Sequence, residues 1–443
     1  MKLFVMLVFA GGAFAAGPLT LKDAVRAALE QHPSIEAGRS GVKAAESRVS
    51  QARAEYLPKL NYAESVLRSN NPVVVFSSLL SQHRFTAANF ELGPLNRPDF
   101  LNSFQSQVTL DQTIYDGGRT RWAVKSAELG RSMTAEDERG NRMNVIANVA
   151  RAYHGAVLAA EGVRVAGEAV RSAEADLARA ENVRAAGMST DADVLSIRVH
   201  LAGVREEQIR RQADLDVALA ALNETLGLPL SEPHELTTPL RVAPFDERAL
   251  EAYEKESVES RPEMREARLA ASLADTQGAA ARSALRPRIV AHGGFEADRQ
   301  TFATRGGASW LASASFEWNL FNGGADKARI SEAAYGLQRA RALESQANAR
   351  VRLEVRRAYA ELGSAARRIE VAQAAVSMAE ESLRITKNRF EAGLANVTDL
   401  LRTETALLSA HNRWLGAVYD QRVAAVNLAL AAGTLTENSE VLN

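Results

Sequence analysis

The chain has 443 residues, 53 basic and 54 acidic side chains, 46% hydrophobic residues and no cysteine. Balanced charge excludes the basic footprint of a nucleic-acid binder, and the missing thiols exclude disulfides, thiolate zinc sites and thiol nucleophiles. This length accommodates two or three domains, or two copies of one unit.

The first residues, MKLFVMLVFAGGAFAAG, place Lys2 before an apolar run and small residues at Ala13 and Ala15. That pattern reads as a secretory signal peptide over 1–16. The run is shorter than the ~20 residues a spanning helix needs, which argues against a retained anchor. A chain without cysteine also has no site for an N-terminal lipid. Leu19 to Glu30 then forms an amphipathic helix capped near Thr20, and His32-Pro33 breaks it. A second helix runs to about Tyr56, before Pro58. Weak alternation over Leu60 to Arg68 predicts a strand, followed by a loop rich in proline and phenylalanine, with Phe76 to Phe100 at its centre.

Phe104 to Tyr115 predicts a strand that is two-faced. Phe104, Val108, Leu110 and Ile114 share one parity; Gln105, Gln107, Thr109, Asp111 and Thr113 share the other. Such period-2 alternation marks a sheet apolar on one side and polar on the other. Gly117-Gly118 then turns the chain into a proline-free helical pattern from Arg119 to about Ala186. Gly187 opens a reversal, and a further helix from Asp191 ends near Leu226.

The order then repeats. Phe245 to Ser260 reads as a helix, Arg261-Pro262 echoes His32-Pro33, and Pro287 echoes Pro58, both proline pairs offset by 229. Trp310 to Leu320 is the second two-faced strand, closed by Gly323-Gly324. Gly117/Gly323, Tyr153/Tyr359, Gly187/Gly393, Asp193/Asp399 and Gly227/Gly433 all keep an offset of 206. One constant offset over so many punctuating residues predicts an internal duplication. The difference between the offsets assigns 23 surplus residues to the first strand connection. The expected organisation is a first repeat over 17–227, a linker over 228–245, a second repeat over 246–433 and a tail over 434–443, with barrel parts at 59–116 and 288–322.

Each unpunctuated helix, at about 68 residues and 1.5 Å per residue, spans ~100 Å. Ala-rich faces on helices that long need partners. Four strands cannot close a barrel, and open edges cannot sit in lipid. Closure therefore requires oligomerisation: two chains supply eight strands, three supply twelve with room for a lumen. The polar parity favours three. The expected fold class is mainly α with a transmembrane β-barrel, internally duplicated, with four strands and long helices per chain.

The opening LTLKDAVRAALEQHP, the strand endings IYDGG and LFNGG, and the turns AAGMSTDADVL and FEAGLANVTDLL together resemble the outer membrane factor (TolC-like) family of outer-membrane efflux proteins. The resemblance covers essentially the whole mature chain. It implies a homotrimer with a 12-stranded barrel in outer-membrane lipid and a 12-helix periplasmic tunnel. It also implies a periplasmic adaptor (membrane fusion) protein and an inner-membrane transporter as partners, in a tripartite efflux or type I secretion system.

Asp193 and Asp399 each sit in the first turn after a reversal, at Gly187 or Gly393. Interaction with the helix dipole accounts for such carboxylates; threefold symmetry around a tunnel tip would instead gather them into rings. The resemblance matches Asp399 to a family aperture residue. It also shows departures: Arg402 stands where the family has a second acid, Phe390 where it has an aromatic hydroxyl, and Ala395 where it has a base. The glycine pairs at 117–118 and 323–324 lack G-x-G-x-x-G and an α/β context, so with Pro58 and Pro287 they read as strand–helix junctions. The aromatic residues Trp310, Phe316, Trp318, Phe104 and Tyr115 suit interfacial belts or packing between subunits.

No histidine pair stands at metal-ligand spacing and no nucleophile–base constellation appears, so neither catalysis, metal nor cofactor is expected. A passive export duct is the leading function. A periplasmic structural or adaptor coiled coil without a pore is the alternative, and the two-faced ribbons speak against it.

Overall fold

The computed structural model describes residues 18–243 and 248–443. The signal-peptide expectation and part of the linker therefore lie outside the described residues. In chain order the elements are β1 (Pro18–Leu19), α1 (Leu21–Gln31), α2 (Pro33–Ala54), β2 (Lys59–Ser69), α3 (Pro72–Ser81), α4 (Leu92–Asn96), β3 (Leu101–Tyr115), α5 (Arg119–Ala185) and α6 (Asp191–Leu226). They continue with β4 (Glu235–Leu236), α7 (Leu250–Ser260), α8 (Pro262–Ser283), β5 (Arg288–Arg299), β6 (Gly307–Glu317), α9 (Ala325–Glu391) and α10 (Val397–Ala432). Lengths match pairwise: α1 and α7 have 11 residues, α2 and α8 have 22, α5 and α9 have 67, and α6 and α10 have 36.

Local chemistry sets the boundaries. The Thr20 hydroxyl accepts from the Asp23 N–H to start α1, and Pro33 and Pro262 open α2 and α8, a position where the missing N–H costs nothing. Gly227 and Gly433 end α6 and α10 in the left-handed region, at φ 75° and 79°. Any side chain at Gly433 would also collide with the backbone of Ser260 and Arg261. Glycine is required there twice over, by conformation and by space.

Two compact units divide the chain. The first comprises the described residues of 18–41, 135–266 and 344–443. Its largest core surrounds Tyr153 with Leu21, Val25, Ile35, Val149, Leu222 and Leu226. The Tyr153 hydroxyl donates to the Leu19 carbonyl at 2.7 Å and accepts from the Thr238 N–H at 2.9 Å, which satisfies the buried phenol. A second core gathers Tyr253, Val355, Leu362 and Leu428. In α10 the apolar stripe is sealed at Leu400, Leu415 and Val418, while Leu401, Leu407, Leu408 and Trp414 are half-buried.

The second unit, 42–134 with 267–343, carries an antiparallel sheet in the order β2-β3-β5-β6. The register sorts its faces. Leu60 pairs Leu110, Val66 pairs Phe104, Val108 pairs Phe295, and Phe295 pairs Trp310, so one apolar face crosses all four strands. Asn61 pairs Thr109, Asp111 pairs His292, and His292 pairs Ser313 on the other. A one-residue slip would invert this sorting. The apolar face carries charge near one set of strand ends, at Glu64, Arg68 and Arg299: Arg299 donates to Ser106 Oγ at 2.8 Å and to Glu64 Oε1 at 3.1 Å. Strands β2 and β6 are left as open edges.

Two expectations need correction. The second ribbon ends at Glu317 rather than continuing to Leu320, because the Trp318 indole N–H donates to the Leu285 carbonyl at 3.0 Å and turns the chain off the ladder. The 70–100 segment is not a plain loop. Pro72 stands at the first position of α3, with Asn71 as N-cap accepting from Val73 and Val74. Phe76, Phe85 and Phe90 pack edge to face, with centroids 4.7 to 6.4 Å apart. The segment expected as a loop thus starts a helix at one of its own prolines.

Candidate functional site

Within the first unit, α5/α6 and α9/α10 reverse at the same end through equivalent turns. Gly187 (φ 74°) donates to the Arg184 carbonyl and Met188 to that of Val183. Gly393 (φ 70°) donates to the Phe390 carbonyl and Leu394 to that of Arg389. No atom outside the turn crowds either glycine, so positive φ alone calls for glycine there.

The two aspartates have different surroundings. Asp193 closes a capping box: its carboxylate accepts from the Thr190 hydroxyl at 2.7 Å, the Thr190 N–H at 3.0 Å and the Ser189 hydroxyl at 3.2 Å. Its own N–H donates back to Thr190 Oγ1 at 3.2 Å. The Thr190 hydroxyl and N–H hold this carboxyl below the usual range, since hydrogen bonds to the charged form favour it. Asp399 donates its N–H to Asn396 Oδ1 at 2.8 Å, and its carboxylate is exposed. Arg402, one turn on, is exposed as well. Phe390 packs beside Ala180, Val194, Ile197 and Val397, a core role for a phenyl ring. Arg179 pairs with Glu391 across the two hairpins, and Arg198 with Glu181 at 2.7 Å within one.

Two to three turns from the reversals lies a buried polar cluster that sequence reasoning missed. Asp176 on α5 has 1% of its side chain exposed and lies 3.4 Å from Lys387 Nζ on α9. Glu404 on α10 accepts from Ser172 Oγ at 3.0 Å and faces His200 Nε2 on α6 at 3.3 Å. Asp176 Oδ2 and Glu404 Oε2 are both sealed from water without a well-formed hydrogen bond. Burial, with the adjacent Glu404 carboxyl, pushes Asp176 up to about 6. Burial also opposes charge on Glu404, but the neighbouring His200, Asp176 and Ser172 side chains hold it below the usual range. Opposite shifts on two acids buried side by side are what one shared proton produces. A sequence signal existed: Asp176 falls on the stripe of Ala173 and Ala180, where a small apolar residue is expected.

The junction residues lie in the second unit. Gly117 and Gly118 have φ of 70° and 92°, Gly323 and Gly324 of 69° and 85°. Pro58 immediately precedes β2, and Pro287 immediately precedes β5. Among the described residues no group of three His, Cys, Asp or Glu side chains is placed to hold a metal, and no helix is long and apolar enough to cross a membrane.

Comparison with known proteins gives a concordant result. A family model described as "Outer membrane efflux protein" matches residues 24–228 and 255–434. Protein CyaE of Bordetella pertussis is 28% identical over 421 residues, 94% of this chain and 84% of its own length. The alkaline protease secretion protein AprF of Pseudomonas aeruginosa is 24% identical, over 98% of this chain and 87% of its own. Among solved structures, CusC superposes with a TM-score of 0.78 at 20% identity, covering 94% of this chain and 92% of that one. The Campylobacter jejuni CmeC outer membrane channel gives 0.77 at 18% identity, covering 95% and 87%.

Proposed function

The chain belongs to the outer membrane efflux protein family, and from that premise we propose that it is a passive, homotrimeric export duct of a tripartite efflux or type I secretion system. It acts in the outer membrane. The observation that carries the reading is the sheet: one continuous apolar face, one polar face, and two open edges on β2 and β6. Neither edge is tolerable in hydrocarbon. Three sheets joined edge to edge satisfy every backbone group, turn the apolar faces to lipid and line a lumen with Thr109, Asp111, His292 and Ser313.

The long helices of the first unit form the periplasmic part of the conduit. A periplasmic adaptor and an inner-membrane transporter dock at the reversal end and supply the energy. The secretion name of AprF brings polypeptides within the range of cargo, beside small molecules. At the aperture, Asp399 is the carboxylate available to passing ions, and Arg402 at i+3 offsets part of its field.

Mass measurement of the detergent-solubilised particle tests the reading. Three copies are expected; a monodisperse monomer or dimer refutes the duct.

A further inference from the structure

The connection between β2 and β3 runs from 70 to 100, whereas that between β5 and β6 spans only 300–306. The longer one packs on a definite side of the sheet. Gly307 pairs Asp298, which pairs Gln105, on the polar face. A side chain at Gly307 would strike the Ser81 carbonyl and the His83 ring, so the C-terminal end of α3 seats over that face. Ser103 and Asp298, polar-face residues at the same strand ends, are only 6% and 5% exposed. Gln82, itself 2% exposed, anchors the seat by donating to the Asn102 carbonyl at 3.0 Å.

The opposite side of α3 is uncovered. The helix, PVVVFSSLLS, has no charged residue. It turns Val75 inward and leaves Val73 and Leu80 76% and 47% exposed, two turns apart on one stripe with exposed Ser77 between them. An uncharged stripe with two large apolar residues open, on a helix held over the polar face, is suited to contact with another uncharged surface. Lipid is the wrong occupant, because the apolar face of the sheet is the other one and α3 has no Lys or Arg for headgroups.

We propose that α3 is an inward constriction at the outer mouth of the duct, and that its Val73–Leu80 stripe meets the same stripe of the other two copies. This rests on the trimeric duct reading, since only a closed barrel gives the polar face a lumen. Three uncharged helices narrow the mouth by contact that passing cargo must part. Water and ions meet an apolar ring there, a form of gate that works by drying.

The cysteine-free chain makes the test direct. Val73→Cys and Leu80→Cys, oxidised in outer membranes, should each give disulfide-linked pairs of copies, while Leu110→Cys on the apolar face should not. Ser309→Cys, on the polar face of β6, should react slowly with a bulky impermeant maleimide added outside. The double variant Val73→Asp/Leu80→Asp should accelerate that reaction several-fold, leaving the buried Val75 side untouched. Replacing 72–98 by the seven residues 300–306 should act in the same direction. Trimers of normal mass that yield no cross-links, or cysteines at 73 and 80 reacting preferentially with a lipid-soluble maleimide, overturn the constriction. A particle that is not trimeric refutes the duct reading itself, and this inference with it.

Discussion

Asp193 and Asp399 occupy the same place in equivalent turns, yet one carboxylate is consumed by its own helix start and the other is not. The Thr190 box explains this: threonine offers a hydroxyl that the acid can grip and an N–H it can cap, while Asn396 serves its helix with a side-chain oxygen and leaves the Asp399 carboxylate to water. Asp193→Ala should therefore cost about 1 kcal/mol of local stability, read as faster amide exchange over 187–194. Asp399→Ala should leave exchange unchanged and lower cation preference in single-channel recordings, and Arg402→Asp should raise it. Equal loss of protection in both alanine variants, with selectivity untouched, would make Asp399 a cap and nothing more. The Thr190–Asp193 spacing was legible in the sequence. The contrast with Asn396 was not, because it depends on which oxygen reaches which N–H.

At the scale of elements, the four long helices meet at Asp176, Glu404, His200 and Lys387. The folded Asp176 carboxyl titrates at about 6 against 3.8 for the free group. The folded state thus holds a proton that the unfolded chain releases, and stability falls as pH rises from 3.8 through about 6. Asp176→Asn, which keeps the hydrogen-bonding shape without the charge, should flatten the decline and leave the variant more stable than the parent at pH 8. Thermal melts at a series of pH values check this, and parallel curves for the two proteins would dismiss the shared proton. Helix lengths were readable from proline and glycine spacing alone, since those residues act on their own turn. The cluster was not readable, because its members are separated by up to 232 residues and meet only when the helices pack.

For the whole molecule, the decisive property is that neighbouring residues on one strand face different media. Leu110→Arg, at mid-strand on the apolar face, should cost about 2–4 kcal/mol in lipid and reduce recovery of assembled particles from outer membranes. Thr109→Arg, one residue away on the polar face, should assemble normally and alter conductance. If both assemble equally well, the apolar face does not meet lipid.

Local sequence by itself determined the two-faced strands, the 67-residue helices and the glycine reversals, because alternation, proline geometry and positive φ each act within a few residues. It also carried the family, through turns and strand endings that lie far apart yet are each short. Only the tertiary structure decided that β3 lies between β2 and β5, that Trp318 leaves the ladder, that α3 forms within 70–100 and seats on the polar face, and that Asp176 shares its burial with Glu404. Each of these depends on groups distant in sequence competing for the same carbonyl, cavity or proton, and that competition is settled by packing.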